Sequence, residues 1–203
     1  MNKKNSRLIL ALISLAIFII IFLIIILGQF PLDTSISNSL DKINKGFFEG
    51  FFLFLGNYGN FIMVAIAFLF IGIFISMKKK KNALIMILSL GGGYLVEKII
   101  KLLFERQRPP LQIVQDLENS FPSGHATFSI ILFSLLVYFY KDEIKNKTSK
   151  IWFIAINVFL ILLIGFSRLY VNTHWFSDIV GGFALGFFIF NLILFIFSKE
   201  KKI

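Results

Sequence analysis

The chain contains no cysteine and only two histidines, His125 and His174. The first absence excludes disulfides, a thiolate nucleophile and a thiolate-bound metal. The second leaves too few imidazoles for a multi-histidine metal centre. Acidic residues are also scarce, 11 against 21 Lys and Arg, for a formal net charge of +10. An excess of that size suggests nucleic acid. The positive residues, however, sit in short clusters between apolar runs, which argues against a nucleic-acid partner. Internal repeats and low-complexity linkers are missing too. The 203 residues leave no length for a second domain, so one unit is expected over 1–203.

Apolar residues dominate. They make up 57% of the chain, with 27 Phe, which is too apolar for an ordinary soluble domain. Several runs approach the ~20 apolar residues needed to cross a bilayer. The expected fold class is therefore all-α, an integral membrane bundle of six transmembrane helices. The spans are expected over 8–27, 57–77, 83–104, 125–140, 151–166 and 177–197. The basic start before the first run resembles a signal peptide, but the run is long and Gly28-Gln29-Phe30-Pro31 is a poor cleavage site, so a retained span is expected. Between the first two runs, Ile36, Leu40, Ile43 and Phe47 recur at helical spacing, as in a short amphipathic helix lying in the interface. Gly91-Gly92-Gly93 lies inside the third run, where it permits close helix contact or a bend. Glu97 and Lys101 are spaced for a helical ion pair. Pro109-Pro110 is expected to stop that helix.

Six spans put both termini on one side, and basic residues mark which side. Fourteen of the 21 Lys and Arg lie in the N-terminal tail, at 78–81, at 141–150 and in the C-terminal tail. Both termini are expected to be cytoplasmic, and the tetralysine 78–81 reads as a topology signal rather than a lipid site. The loops 28–56, 105–123 and 167–176 then face outward.

The residues with chemical potential fall on that outward side. Lys101 and Arg108 close the third span, Ser123, Gly124 and His125 open the fourth, Arg168 ends the fifth, and His174 and Asp178 open the sixth. Scattered interfacial polar residues would have fallen on both sides. His174 and Asp178 are four apart, so a helix puts them on one face, where the carboxylate holds one imidazole nitrogen and leaves the other free as base or nucleophile. Lys101, Arg108 and Arg168 supply cations suited to an oxyanion, most naturally phosphate. Ser123-Gly124 opens a helix whose first N–H groups favour an anion. His174 is then placed to attack phosphorus and His125 to protonate the leaving oxygen.

Lys101-(six residues)-Arg108-Pro109, Pro122-Ser123-Gly124-His125 and Ser167-Arg168-(five residues)-His174-(three residues)-Asp178 together resemble the three-part signature of the type 2 phosphatidic acid phosphatase (PAP2) superfamily. Every defining position matches, in order, within 101–178. The resemblance implies a metal-independent membrane lipid phosphatase without cofactor. It implies His174 as nucleophile, Asp178 as its partner and His125 as acid. Lys101, Arg108, Ser123, Gly124 and Arg168 would bind phosphate. Soluble vanadium-dependent haloperoxidases share the signature, but this chain's hydrophobicity argues against that branch.

The expected substrate is a lipid phosphate or pyrophosphate whose tails stay in the bilayer, met at the outer face of a bacterial cell membrane. Polyprenyl pyrophosphate, phosphatidylglycerol phosphate and phosphatidic acid fit the chemistry, with a lean to the first because it is released on that face. No obligate protein partner is inferred. The alternatives are a lipid phosphotransferase using the same histidine and a non-catalytic membrane protein that keeps the fold. Loss of a signature residue would mark the latter, and none is lost.

Overall fold

A computed structural model of the chain describes residues 3–28, 30–42, 46–110, 112–113 and 118–198. Among them are seven helices and no strand: α1 (Lys3–Ile26), α2 (Pro31–Asp41), α3 (Gly46–Ser76), α4 (Lys80–Leu103), α5 (Gly124–Tyr140), α6 (Lys147–Tyr170) and α7 (Phe176–Phe197). Five of them, α1, α3, α4, α6 and α7, are long and apolar enough to cross a membrane. The sixth apolar helix, α5, has 17 residues, about 26 Å of rise. Large side chains such as Phe61, Phe68 and Leu103 stand exposed along the bundle. Such a surface suits lipid and would be a liability in water.

α7 is the central element. It packs against α1 on one side and α5 on the other, and α4 also reaches it. Small residues allow the close approach. A Cβ on Gly182 would sit 2.7 Å from the Ser123 carbonyl oxygen, and one on Gly186 would sit 2.6 Å from the Thr127 carbonyl oxygen. The α5–α7 contact is thus backbone to backbone, which sets the start of α5 beside the start of α7. Buried Ile131, Leu132 and Leu135 of α5, Met86 of α4, Met63 and Phe74 of α3 and Phe18 and Ile21 of α1 fill the rest of the core.

The helix ends follow local chemistry. Ser123 caps α5 through the Ala126 N–H, and Asn146 caps α6 through the Ser149 N–H at 2.9 Å. α6 and α7 are joined through Asn172, whose φ of 52° is a left-handed conformation that Asn tolerates better than most residues. Lys78–Lys81 and the basic stretch 141–150 lie at the end of the bundle opposite to the start of α5 and the end of α6.

Three expectations change. The second apolar helix starts at Gly46 rather than near residue 57, about three turns earlier. The prolines do not stop α4 directly: Phe104 is already extended, with φ −128° and ψ 99°, and 104–108 run on before Pro109. Of the three consecutive glycines, only Gly93 meets another helix, where a Cβ would lie 2.5 Å from Ile131 Cδ1 of α5; Gly91 and Gly92 face open space and α4 continues through them.

The segment expected as one amphipathic helix over 36–47 is also different. α2 ends at Asp41, residue 47 belongs to α3, and Ile43 and the Phe47 side chain lie outside the described residues. Moreover, α2 buries its polar side: Asp33 and Ser37 are buried, while Ile36 and Leu40 are only half-buried. The reason is that α2 docks on polar groups at the ends of α6 and α7, not on an apolar face.

Candidate active site

The end of α4, residues 104–110 and 118–123, the start of α5, the end of α6 and the start of α7 meet at one end of the bundle. A cavity of about 280 Å³ lies there, lined by Lys101, His125 and His174 among others. Val64, Tyr94, Phe128 and Ile131 line the same cavity. The same space therefore has a charged mouth and apolar walls.

His174 is 3% exposed. Its Nδ1 faces Asp178 Oδ2 at 3.4 Å, and its Nε2 faces Arg108 Nη1 at 3.1 Å. A guanidinium only donates, so Nε2 must present its lone pair and the ring proton belongs on Nδ1, directed at the carboxylate. Asp178 is fully buried and sits at the third position of α7, where the same Oδ2 accepts the Trp175 N–H at 2.9 Å. That contact is half of a capping box, so the residue that orients His174 also starts the helix.

Arg108 is aimed by two further bonds, from Nη1 to the Thr173 carbonyl and from Nε to the Glu118 carbonyl, both 2.7 Å. Arg168 is 2% exposed and donates from Nη1 to the Gly56 carbonyl of α3 at 2.7 Å. Gly56 leaves room for it, since a Cβ there would lie 3.0 Å from that nitrogen. His125 is half-buried on the first turn of α5, within electrostatic reach of Arg168, His174, Lys101 and Arg108. Its Nε2 is buried and has no hydrogen-bond partner among the described residues.

Ser123 and Gly124 are at the start of α5 as expected, but their immediate surroundings differ from a bare anion cradle. The Ser123 N–H donates to the Asp178 carbonyl at 3.1 Å, and a Cβ on Gly124 would lie 3.1 Å from Glu97 Oε1. Lys101 is 2.8 Å from Glu97 and 3.2 Å from Glu118. The Glu97–Lys101 pair was legible as an i,i+4 spacing. Glu118 was not. It also pairs with Lys98, and that hydrogen bond, more than any other influence, holds its carboxyl below the ordinary range. All eight candidate residues are thus in one neighbourhood, with two carboxylates beside Lys101 that spacing alone did not place there.

Two further residues went unnoticed in the sequence, Asp33 and Arg106. Arg106 donates to Asp178 Oδ1, to Ser177 Oγ at 2.8 Å and to Asp33 Oδ2 at 2.6 Å. The double Arg-x-Arg before Pro109 offered a weak signal, but nothing marked Asp33, which reads as an ordinary first-turn acid on a polar helix.

The class is that of an all-helical membrane bundle with a His–Asp pair and converging cations at one end. The sequence matches the PAP2 superfamily over residues 82–202, and the chain belongs to that superfamily. It is an integral membrane protein. It is 31% identical over 146 residues to phosphatidylglycerophosphatase B of Bacillus subtilis (strain 168), covering 70% of this chain and 71% of that one. It is 24% identical over 147 residues to an undecaprenyl-diphosphatase of Sulfolobus acidocaldarius, covering 68% of this chain and 65% of that protein. Its structure resembles the crystal structure of the transmembrane PAP2 type phosphatidylglycerolphosphate phosphatase from Bacillus subtilis, with a TM-score of 0.77 at 26% identity over 100% of this chain and 99% of the other. Aquifex aeolicus LpxE shares the fold, with a TM-score of 0.61 at 20% identity over 81% of this chain and 96% of that one.

Proposed function

We propose that the protein is a lipid phosphatase that hydrolyses a lipid phosphate monoester or diphosphate through a phosphohistidine on His174. The observation that carries the reading is the double engagement of His174, Nδ1 on Asp178 at 3.4 Å and Nε2 on Arg108 at 3.1 Å, beside a cavity that His125 also lines. Substrate phosphate draws the Arg108 guanidinium onto its oxygens, which uncovers the Nε2 lone pair. Nε2 attacks phosphorus and the bond to the leaving oxygen breaks, while protonated His125 gives that oxygen its proton. Water then attacks the phosphohistidine and passes a proton to His125. The N–P bond breaks, releasing inorganic phosphate and restoring both histidines. Arg108, Arg168, Lys101 and the first N–H groups of α5 offset the charge on the equatorial oxygens. No divalent cation is required in this scheme.

The substrate is a lipid because the apolar walls at Val64, Tyr94, Phe128 and Ile131 line the same cavity as the charged mouth. Tails remain in the bilayer and only the headgroup enters. The six apolar helices cross the membrane, α5 included, with the basic clusters in the cytoplasm and the site at the outer face of a bacterial membrane. The likeness to the Bacillus subtilis enzyme favours phosphatidylglycerol phosphate as the first substrate to test, with undecaprenyl pyrophosphate second.

The test is turnover of both lipids and a water-soluble phosphomonoester by purified protein in detergent, together with acid-labile labelling of the enzyme by substrate phosphate. His174→Ala is expected to abolish turnover and labelling. Asp178→Asn is expected to slow turnover by roughly two to four decades, as in other sites that lose the carboxylate behind a catalytic His. Wild-type activity in His174→Ala, or better turnover of the soluble ester than of either lipid, would sink the reading.

A further inference from the structure

Asp178 has two carboxylate oxygens, and only one faces His174. The other is held by Arg106, a residue outside the signature positions. Arg106 is itself fixed from behind. Its Nη2 donates to Asp33 Oδ2 at 2.6 Å, and its Nη1 also donates to Ser177 Oγ at 2.8 Å. Asp33 closes the ring on the first turn of α7, accepting the Ser177 N–H on Oδ1 at 2.8 Å and the Ser177 hydroxyl on Oδ2 at 2.6 Å. The side chains of Asp178, Asp33 and Arg106 are 0%, 6% and 14% exposed.

We infer that Asp33 and Arg106 are a positioning pair for catalysis: Arg106 fixes the plane of the Asp178 carboxylate, and Asp33 supplies the charge that keeps the Asp178–His174 dyad basic. This inference rests on His174 as the nucleophile. One guanidinium between two carboxylates leaves the group with a net charge of −1 in a buried site. That charge favours the imidazolium, and so the positive charge His174 acquires on bonding to phosphorus. Without Asp33 the Arg106–Asp178 pair is neutral, and the dyad loses its surplus negative charge. Without Arg106 two buried carboxylates face each other, one takes up a proton, and Asp178 is no longer aimed. α2, which contributes nothing to the signature, is therefore a working part of the site. Its buried polar face exists to deliver Asp33.

The scarcity of histidine provides a readout that needs no turnover. With two His in the chain, ¹⁵N-histidine NMR of the purified protein resolves both rings, and His125→Gln assigns them. In the wild type, His174 is expected to carry its proton on Nδ1. In Asp33→Asn its pKa is expected to fall by roughly half a unit or more, the direction set by removing a nearby negative charge. Asp33→Glu should restore it. Arg106→Gln, in which one carboxylate takes up a proton and the net charge is kept, should scramble the tautomer, and Arg106→Lys should recover only part of the wild-type behaviour, because one ammonium cannot span both carboxylates. Lys101, Arg108, Arg168, Glu97, Glu118 and the neighbouring imidazole of His125 are unchanged in these variants, so the shift is read as a difference from the wild type. The same order should appear in activity: kcat lowered about 10- to 100-fold in Asp33→Asn with KM little changed, and the acidic limb of the kcat/KM profile moved to lower pH. If a variant at 33 does not fold, Ser177→Ala, which removes one anchor of Asp33 and no charge, should lower kcat and disturb the His174 tautomer more weakly. A His174 pKa and tautomer unchanged in folded Asp33→Asn, or Asp33→Glu behaving like Asp33→Asn, would overturn the inference. Absence of lipid turnover in the wild type would instead count against the phosphatase reading, since the NMR arm stands without it.

Discussion

Arg108 Nη1 lies 3.1 Å from His174 Nε2 and donates to it, so the lone pair of the proposed nucleophile is engaged by a cation proposed to bind phosphate. In the proposed mechanism His174 can attack only once that hydrogen bond is released. Arg108→Ala should lower kcat/KM by roughly two to three decades, the usual scale for losing a preorganised donor in a transition state. Arg108→Lys should recover little, because Lys cannot hold the Thr173 and Glu118 carbonyls together with a phosphate oxygen. Steady-state kinetics on a lipid substrate measures both.

The orientation can be checked in a chain with no cysteine of its own. Single cysteines at Lys79 and Lys147 should resist an impermeant thiol reagent in intact cells, and one at Glu118 should react. Strong labelling at 147 with none at 118 would place the site on the cytoplasmic face.

Chelator should leave turnover intact if Lys101, Arg108 and Arg168 offset the phosphate charge as proposed. Vanadate, which adopts the trigonal-bipyramidal geometry of phosphoryl transfer, should inhibit competitively. Full loss of activity in EDTA with rescue by magnesium is the contrary result.

Two glycine variants separate packing from propensity. Gly182→Ala would press a methyl against the Ser123 carbonyl at 2.7 Å, and backbone cannot yield cheaply. It should destabilise the bundle by about 1–3 kcal/mol and displace the His125 end of α5 from His174. Gly92→Ala meets nothing within 4 Å in the middle of α4 and should be neutral or stabilising by up to about 1 kcal/mol. Thermal unfolding in detergent, followed alongside activity, distinguishes the two.

Glu118 gives a pH signature. Its folded-state carboxyl is lowered from the ordinary value of 4.5, first by the hydrogen bond from Lys98 and then by Lys101. A depressed carboxyl adds stability above its unfolded value and loses it as pH falls through the folded one. The Tm difference between wild type and Glu118→Gln should therefore be present at neutral pH and close as pH drops below 4.5. With the Glu118 side chain 52% exposed, the stabilisation is small, below about 1 kcal/mol. At neutral pH the same variant removes one carboxylate from Lys101 and should tighten inhibition by inorganic phosphate.

The local parts of this protein were determined by the sequence itself. Apolar runs long enough for a bilayer became helices because a helix satisfies its backbone hydrogen bonds within a single run. The i,i+4 spacings put His174 with Asp178 and Glu97 with Lys101, since a helix turns 3.6 residues at a time wherever it lies. The order of basic clusters and motifs placed all eight candidate residues at one end. Tertiary structure alone decided which groups complete them. Asp33, Arg106 and Glu118 meet Asp178 and Lys101 through contacts between charged groups far apart in the chain, and such contacts leave no periodic trace. Asp33 is the clearest case. On a short polar helix an acid reads as solvent-facing, and only the docking of α2 on the ends of α6 and α7 turns that face inward. The close approach of α5 to α7 is likewise a property of the pair: Gly182 and Gly186 make it possible, but which backbone fills the space beside them depends on the partner helix.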